Sequence, residues 1–243
     1  MASHPRRFLP GIPIHLIQRG NDRKVCFFTD RDYIIYLDKQ RERSEICSVA
    51  IHSYVLMTNH VHLLCTPQDS ESISMMMQGL GRYYVRYINN TYQRTGTLGE
   101  GRFKASMVSS ERYLLTVSRH IELNPIRAGK VKHPGEYPWS SYRRNVLGKE
   151  IKLITPHPVY LALGNDKRER RFRYQPLFDQ YIPDCTLEEI RVATNKAWVL
   201  GDGEFKQQIE QQPCYALPPF PRGGDRKSNK FISVNKIKKI KVL

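Results

Sequence analysis

The sequence predicts an α+β domain: a ferredoxin-like antiparallel sheet with helices on one face, followed by a C-terminal helical appendage. Three observations predict it. Strand and helix patterns follow one another as strand, helix, strand, strand, helix, strand, helix up to Leu123. Two of the strands are separated only by Thr58-Asn59, a turn that makes them an antiparallel hairpin. From about Pro134 the strand patterns stop and only helical ones follow.

Each element has a local reason. Ile12 to Arg19 reads as a strand that ends at the turn Gly20-Asn21-Asp22, and Val25 to Phe28 as a short second strand segment. Thr29 or Asp30 can cap a helix from Arg31 to Ser44, in which Tyr33, Tyr36 and Leu37 recur on one face. Val49 to Met57 alternates Val49, Ile51, Ser53 and Val55 as a strand does, and His60 to Thr66 returns beside it. A helix starts at Ser70 or Ser72 and runs to Tyr92, where Thr95-Gly96-Thr97 breaks the pattern. Phe103 to Val108 is the fourth strand. Ser109-Ser110-Glu111 caps a helix from Arg112 to Leu123, which Asn124-Pro125 stops because a residue before proline avoids the helical region. Lys167 to Tyr181, Leu187 to Asn195 and Glu204 to Gln211 are helical. The expected units are residues 1–133, the small helical appendage 134–212, and 213–243, a Pro-rich linker and basic flexible tail. Residues Arg222 to Leu243 of that tail hold eight Lys/Arg and one Asp.

Composition narrows the function. Lys+Arg 39 against Asp+Glu 23 gives a net charge of +16, which points to a polyanionic partner such as nucleic acid. The five cysteines are dispersed and form no C-x-x-C pair, so a disulfide framework and a cysteine-based zinc site are both excluded. No run of 18 apolar residues and no secretory leader are visible, so the expectation is a cytoplasmic protein with no membrane partner.

The chemistry centres on His60-Val61-His62. Side chains two apart on a strand share a face, so the two imidazoles stand side by side while Val61 points to the core. They either share a divalent ion or sit as two half-exposed histidines on a polar sheet face. Further ligands would come from a neighbouring element. The helix before Pro125 offers His120 and Asn124, which share a face at i and i+4. Spacing leaves Asn124 as either a ligand through its carbonyl oxygen or a plain helix end.

The string Met57-Thr58-Asn59-His60-Val61-His62-Leu63-Leu64 resembles the His-hydrophobe-His signature of the HUH transposases and relaxases. With Gln18-Arg19-Gly20-Asn21, Glu100-Gly101-Arg102-Phe103-Lys104, Arg119-His120-Ile121-Glu122-Leu123-Asn124-Pro125, and Tyr137-Pro138-Trp139-Ser140-Ser141-Tyr142, the chain resembles the REP-associated tyrosine transposases. The resemblance spans about Ile12 to Tyr142. It implies a ferredoxin-like sheet and a divalent metal, Mg²⁺ or Mn²⁺, held by His60, His62 and Asn124. It further implies a DNA partner, single-stranded and folded in hairpins, that is cut and rejoined with the metal's help. Relatives act as homodimers and as monomers.

The sequence departs from this family at one decisive place. Where the family's tyrosine nucleophile belongs, this chain has His120. As the residue at the catalytic position, His120 could attack phosphorus itself, serve as base for a water, or become another metal ligand. Equally, cutting could have been lost, leaving a DNA-hairpin-binding protein; a nuclease that uses water is the third reading. Tyr113 lies seven residues earlier, roughly 10 Å along a helix axis, too far to substitute. Arg19, Arg23, Arg102, Lys104, Arg119 and Arg127 flank the site and are the expected phosphate contacts. Arg82 and Arg86 with Tyr83, Tyr84 and Tyr87 could track and stack a strand, or could edge the core of an amphipathic helix.

Overall fold

The computed structural model describes residues 8–109 and 112–212. The linker and tail expected over 213–243, the Ser110-Glu111 part of the expected cap, and Cys214 lie outside the described residues.

Four strands, β1 (Ile14–Arg19), β2 (Val49–Met57), β3 (His60–Pro67) and β4 (Lys104–Met107), form one sheet. Their order is β2-β3-β1-β4 with every neighbouring pair antiparallel, which is the ferredoxin-like arrangement. Met57 pairs with His60, so Thr58-Asn59 is the hairpin turn.

Helices α1 (Asp30–Ile46) and α2 (Ser72–Thr91) cover one face. Thr29 and Asp32 close a capping box on α1, and buried Asp32 also accepts from Tyr87 and Tyr92 of the α2 region. The apolar stripe of α2, which includes Met76, Leu80 and Ile88, meets Leu16, Leu56 and Leu63 of the sheet. Burying each such side chain contributes about 1.5–3 kcal/mol.

The opposite face is also covered, which corrects the expectation of helices on one face only. Helix α3 (Leu114–Glu122) and the later α8 (Asp184–Lys196) pack there, because Val55, Met57 and Leu64 present apolar side chains that need cover. Val55 and Met57 point that way because β2 contains a bulge. The pairing with β3 shifts between Ile51 and Ser53, leaving His52 as the extra residue. Before the bulge Val49 and Ile51 face α1 and α2; after it Tyr54 and Leu56 do, and Val55 and Met57 turn to α3.

Two other expectations change. Val25 to Phe28 is not a strand: the N–H groups of Cys26 and Phe27 both donate to the Thr58 carbonyl, at 2.8 and 3.3 Å, so the segment folds over the hairpin turn. Helix α3 begins at Leu114, two residues later than expected. Helix α3 ends at Glu122, just before Asn124-Pro125 as expected, but the chain re-enters a helix at once. A short helix α4 (Asn124–Arg127) follows, with Pro125 in its first turn, where a missing N–H costs nothing.

The appendage contains α5 (Tyr142–Asn145), α6 (Pro158–Leu161), α7 (Lys167–Tyr174), α8 and α9 (Gly203–Glu210). It shares the sheet's core: Leu153, Ile154, Val199 and Ile209 join one apolar cluster, and Tyr137, Ile190 and Leu200 the other. Glu122, fully buried at the end of α3, accepts from Ser141 Oγ at 2.5 Å, Asn145 Nδ2 at 2.8 Å and Tyr174 Oη at 3.1 Å. Burial pushes its carboxyl up to about 7, against the pull of those three donors. One carboxyl thus ties α3 to α5 and α7. Among the described residues no helix is long and apolar enough to cross a membrane.

Candidate metal centre

Strands β1 and β3 lie side by side, with Arg19 opposite His60, Ile17 opposite His62 and His15 opposite Leu64. Directly opposed residues share a face, so His15, Ile17 and Arg19 line up with His60 and His62. This is the face that α3 covers.

His60 is half-buried and its Nδ1 lies 2.7 Å from Asn59 Oδ1. Its ring centroid is 5.1 Å from that of His62. Asn124, where α4 begins, brings its side-chain amide to 3.4 Å from His62 Nε2 and also hydrogen-bonds His60. His60, His62 and Asn124 therefore lie together.

Beneath them is a residue that the sequence reading did not single out. His15 is completely buried, with Nε2 3.0 Å from His62 Nδ1 and Nδ1 2.9 Å from Thr194 Oγ1 of α8. Its only sequence signal is alternation: it falls opposite to Ile14 and Leu16 on β1, the faces a core strand separates. Hydrogen-bond direction can be followed through this chain. Thr194 donates its hydroxyl proton to the Ile190 carbonyl at 2.8 Å, so toward His15 it accepts. His15 then carries its proton on Nδ1 and presents the Nε2 lone pair. His62 donates to it from Nδ1, which leaves the His62 Nε2 lone pair facing Asn124. Thr194 thereby fixes which nitrogen of His62 is available, through an intervening ring.

His120 also belongs to this cluster. Its side chain is 4% exposed and faces inward, 5.8 Å from His15 and 6.0 Å from His62 between ring centroids. Its Nδ1 is buried with no hydrogen-bond partner. All four imidazoles are held neutral. Burial lowers His15 to about 3 and His60 to about 4, the latter helped by the Arg19 charge. It also holds His62 and His120 well below the ordinary imidazole value, with the neighbouring histidines and Arg127 adding to it. Neutral imidazole is the form that ligates metal.

The expected phosphate contacts divide. Arg19 and Arg102 line a cleft of about 880 Å³ that also reaches His60, Asn21, Leu98 and Phe103. Arg23 is exposed in the turn after β1, where its carbonyl accepts from Asn59 Nδ2 at 3.0 Å. Arg127 donates to the His120 carbonyl at the site's edge. Lys104 is exposed but donates to Asn195 Oδ1 of α8 at 3.0 Å. Arg119 is a correction: it is 7% exposed and donates to the Gln180 carbonyl, so its guanidinium serves packing against the appendage instead of a surface phosphate. On α2, Tyr84 and Tyr87 are taken up by bonds to the Cys26 carbonyl and Asp32, while Tyr83, Arg82 and Arg86 remain exposed. Tyr113 does not replace a missing phenol, since its hydroxyl donates to Glu189 at 2.9 Å.

A ferredoxin-like sheet carrying paired histidines, with an amide from the covering helix, defines an α+β domain whose side chains could hold a metal. Comparison with known proteins shows what this domain is similar to. Residues 9–124, which include His15, His60, His62, His120 and Asn124, match the family described as "Transposase IS200 like". The structure of a REP-associated tyrosine transposase bound to a REP hairpin is similar in fold, with a TM-score of 0.53 at 16% identity over 65% of this chain and 93% of that one. A crystal structure of a transposase candidate from Deinococcus radiodurans matches at a TM-score of 0.36 and 18% identity, over 50% of this chain and 96% of that one. Among curated proteins none matches.

Proposed function

We propose that this chain is a DNA-binding transposase-family protein that holds hairpin-forming single-stranded DNA at the His60 corner of the sheet, and that His120 is not a strand-cutting nucleophile. One observation carries this reading: His120 is buried and turned toward His15 and His62. A nucleophile has to meet a phosphate held at the surface, and the cleavage and rejoining that the family resemblance implies needs one.

A divalent ion such as Mg²⁺ or Mn²⁺ fits His60, His62 and Asn124. The donors are two neutral imidazoles and an amide oxygen, and the His62 Nε2 lone pair is already aimed at Asn124. Bound there, the ion would polarise a phosphate oxygen. The chain's own residues do the rest. Arg19, Arg23 and Arg102 neutralise backbone charge around the cleft, and Leu98 and Phe103 offer apolar walls to an unstacked base. The same convergence of His60, His62 and Asn124 favours a second reading, a nuclease that uses water to hydrolyse the phosphodiester without a protein–DNA link.

A denaturing gel with labelled hairpin DNA, Mg²⁺ or Mn²⁺, and the unmodified protein, His60→Ala and His120→Tyr tests this. The expected result is neither cleavage nor adduct from the unmodified protein, with binding retained on a native gel of the same mixture. A covalent adduct from it would overturn the proposal. Cleaved DNA without adduct, lost in His60→Ala, would establish the water-using nuclease.

A further inference from the structure

We propose that His15, His62 and His120 form a nitrogen-only site for one divalent transition ion of the zinc class, binding α3 to strands β1 and β3. The three residues each offer a ring nitrogen, and these atoms all lie within 4.8 Å of one another. A tetrahedral ion with nitrogens at about 2.0–2.1 Å separates its ligand atoms by roughly 3.4 Å. Small ring rotations close that difference.

Three features favour an ion over a merely packed cluster. First, the buried Nδ1 of His120 has no partner, and an unsatisfied buried polar atom costs about 1–3 kcal/mol unless something pairs with it. Second, His15 is oriented from behind: Thr194 holds its Nδ1, so its Nε2 lone pair points into the cluster. This is the outer-shell support that metal-bound imidazoles usually have. Third, the donor set is chemically selective. Three imidazoles suit Zn²⁺, Co²⁺ or Ni²⁺, whereas Mg²⁺ and Mn²⁺ prefer oxygen.

The site differs from the His60–His62–Asn124 centre and does not depend on the DNA-binding reading. His62 takes part in both, through opposite nitrogens. Toward His15 it would ligate through Nδ1; toward Asn124 its Nε2 faces the amide. Ligation at Nδ1 moves the ring proton to Nε2, so the two centres exclude each other. Arg127 and Arg191 lie near enough to His120 to depress its proton affinity and therefore weigh against a cation. Arg191 is exposed and screened by solvent, whereas the Arg127 guanidinium is partly desolvated beside His120, so this charge favours an anionic fourth ligand.

The test uses the full chain stripped of metal and titrated with Zn²⁺ and Co²⁺. The expected result is one equivalent bound, with an intense visible absorption from four-coordinate Co²⁺. Binding should survive in His60→Ala and be lost in His120→Phe, which keeps a flat ring of similar size. X-ray absorption at the zinc edge of the unmodified protein should count three imidazoles, and this needs no variant to fold. Two imidazoles plus oxygen would place the ion at His60, His62 and Asn124 and overturn the proposal. So would an absence of binding, or any pattern other than retention in His60→Ala with loss in His120→Phe.

Discussion

Acid should destabilise this fold through His52, and the size of the effect can be worked out. His52 is the bulged residue of β2 and is buried. Its Nδ1–H donates to the Thr155 carbonyl at 2.7 Å and its Nε2 accepts from Thr66 Oγ1 at 2.8 Å. Both nitrogens are thus engaged by the neutral ring, and a second proton on Nε2 would face the threonine oxygen in a dry site. The titratable group that faces it is His157, edge-on at 4.9 Å, which adds to the penalty. Burial therefore lowers the His52 pKa from 6.5 to about 4. The unfolded chain takes up the proton below pH 6.5 and the folded one does not. Stability from this group is full above that value and is lost as pH falls toward about 4. At about 1.4 kcal/mol per pKa unit the loss is about 3 kcal/mol. Other buried histidines also contribute to acid sensitivity, so the measurement has to be a difference. Urea unfolding of the unmodified protein and of His52→Gln, at steps from pH 7.5 to 4, should give curves that diverge by about 3 kcal/mol. Parallel curves would refute the reasoning.

Further outcomes follow from other sites. Tyr174→Phe removes one of the three donors to buried Glu122 and should cost about 2 kcal/mol, a fall of roughly 4–8 °C in the thermal midpoint. Gly20→Ala would place a Cβ 2.4 Å from the Lys24 carbonyl and 2.6 Å from Cys26 Sγ, so the turn beside His60 must shift. It should lower stability by about 1–3 kcal/mol and weaken Mn²⁺ binding, as calorimetry would report. Arg23→Ala and Arg102→Ala should each weaken binding of single-stranded DNA and flatten its salt dependence by about 0.7 in log–log slope. An unchanged slope would remove that arginine from the interface.

Much of the sheet domain could be read from the chain because its signals are local. The hairpin of β2 and β3, the capping box at Thr29 and the stripe of α2 each depend on residues within a turn or two. The bulge was not visible, because Val49, Ile51, Ser53 and Val55 alternate as a regular strand would, and only pairing with β3 reveals the extra residue at His52. His60 and His62 stand out as a two-residue spacing. His15 does not, since what makes it chemical is contact with residues 47 and 179 positions away. Arg119 misled for the complementary reason: a charged residue on a short helix reads as surface until the appendage closes over it.

The way the appendage returns to the sheet also restricts how two copies could meet. Strand β2 is an outer strand, yet Leu56 donates to the Trp139 carbonyl at 2.9 Å, Ser141 donates to Tyr54 at 3.0 Å, and Thr155 donates to Ile51 at 2.8 Å. At the other margin, Leu200 donates to Met107 and Ser109 donates to Leu200, both at 2.8 Å. The backbone groups that would let a foreign strand extend the sheet are thus largely claimed by the chain itself. A homodimer of this protein would have to form through side chains on helix or loop surfaces, and its partner choice would be written in those residues instead of in the generic pairing of strands.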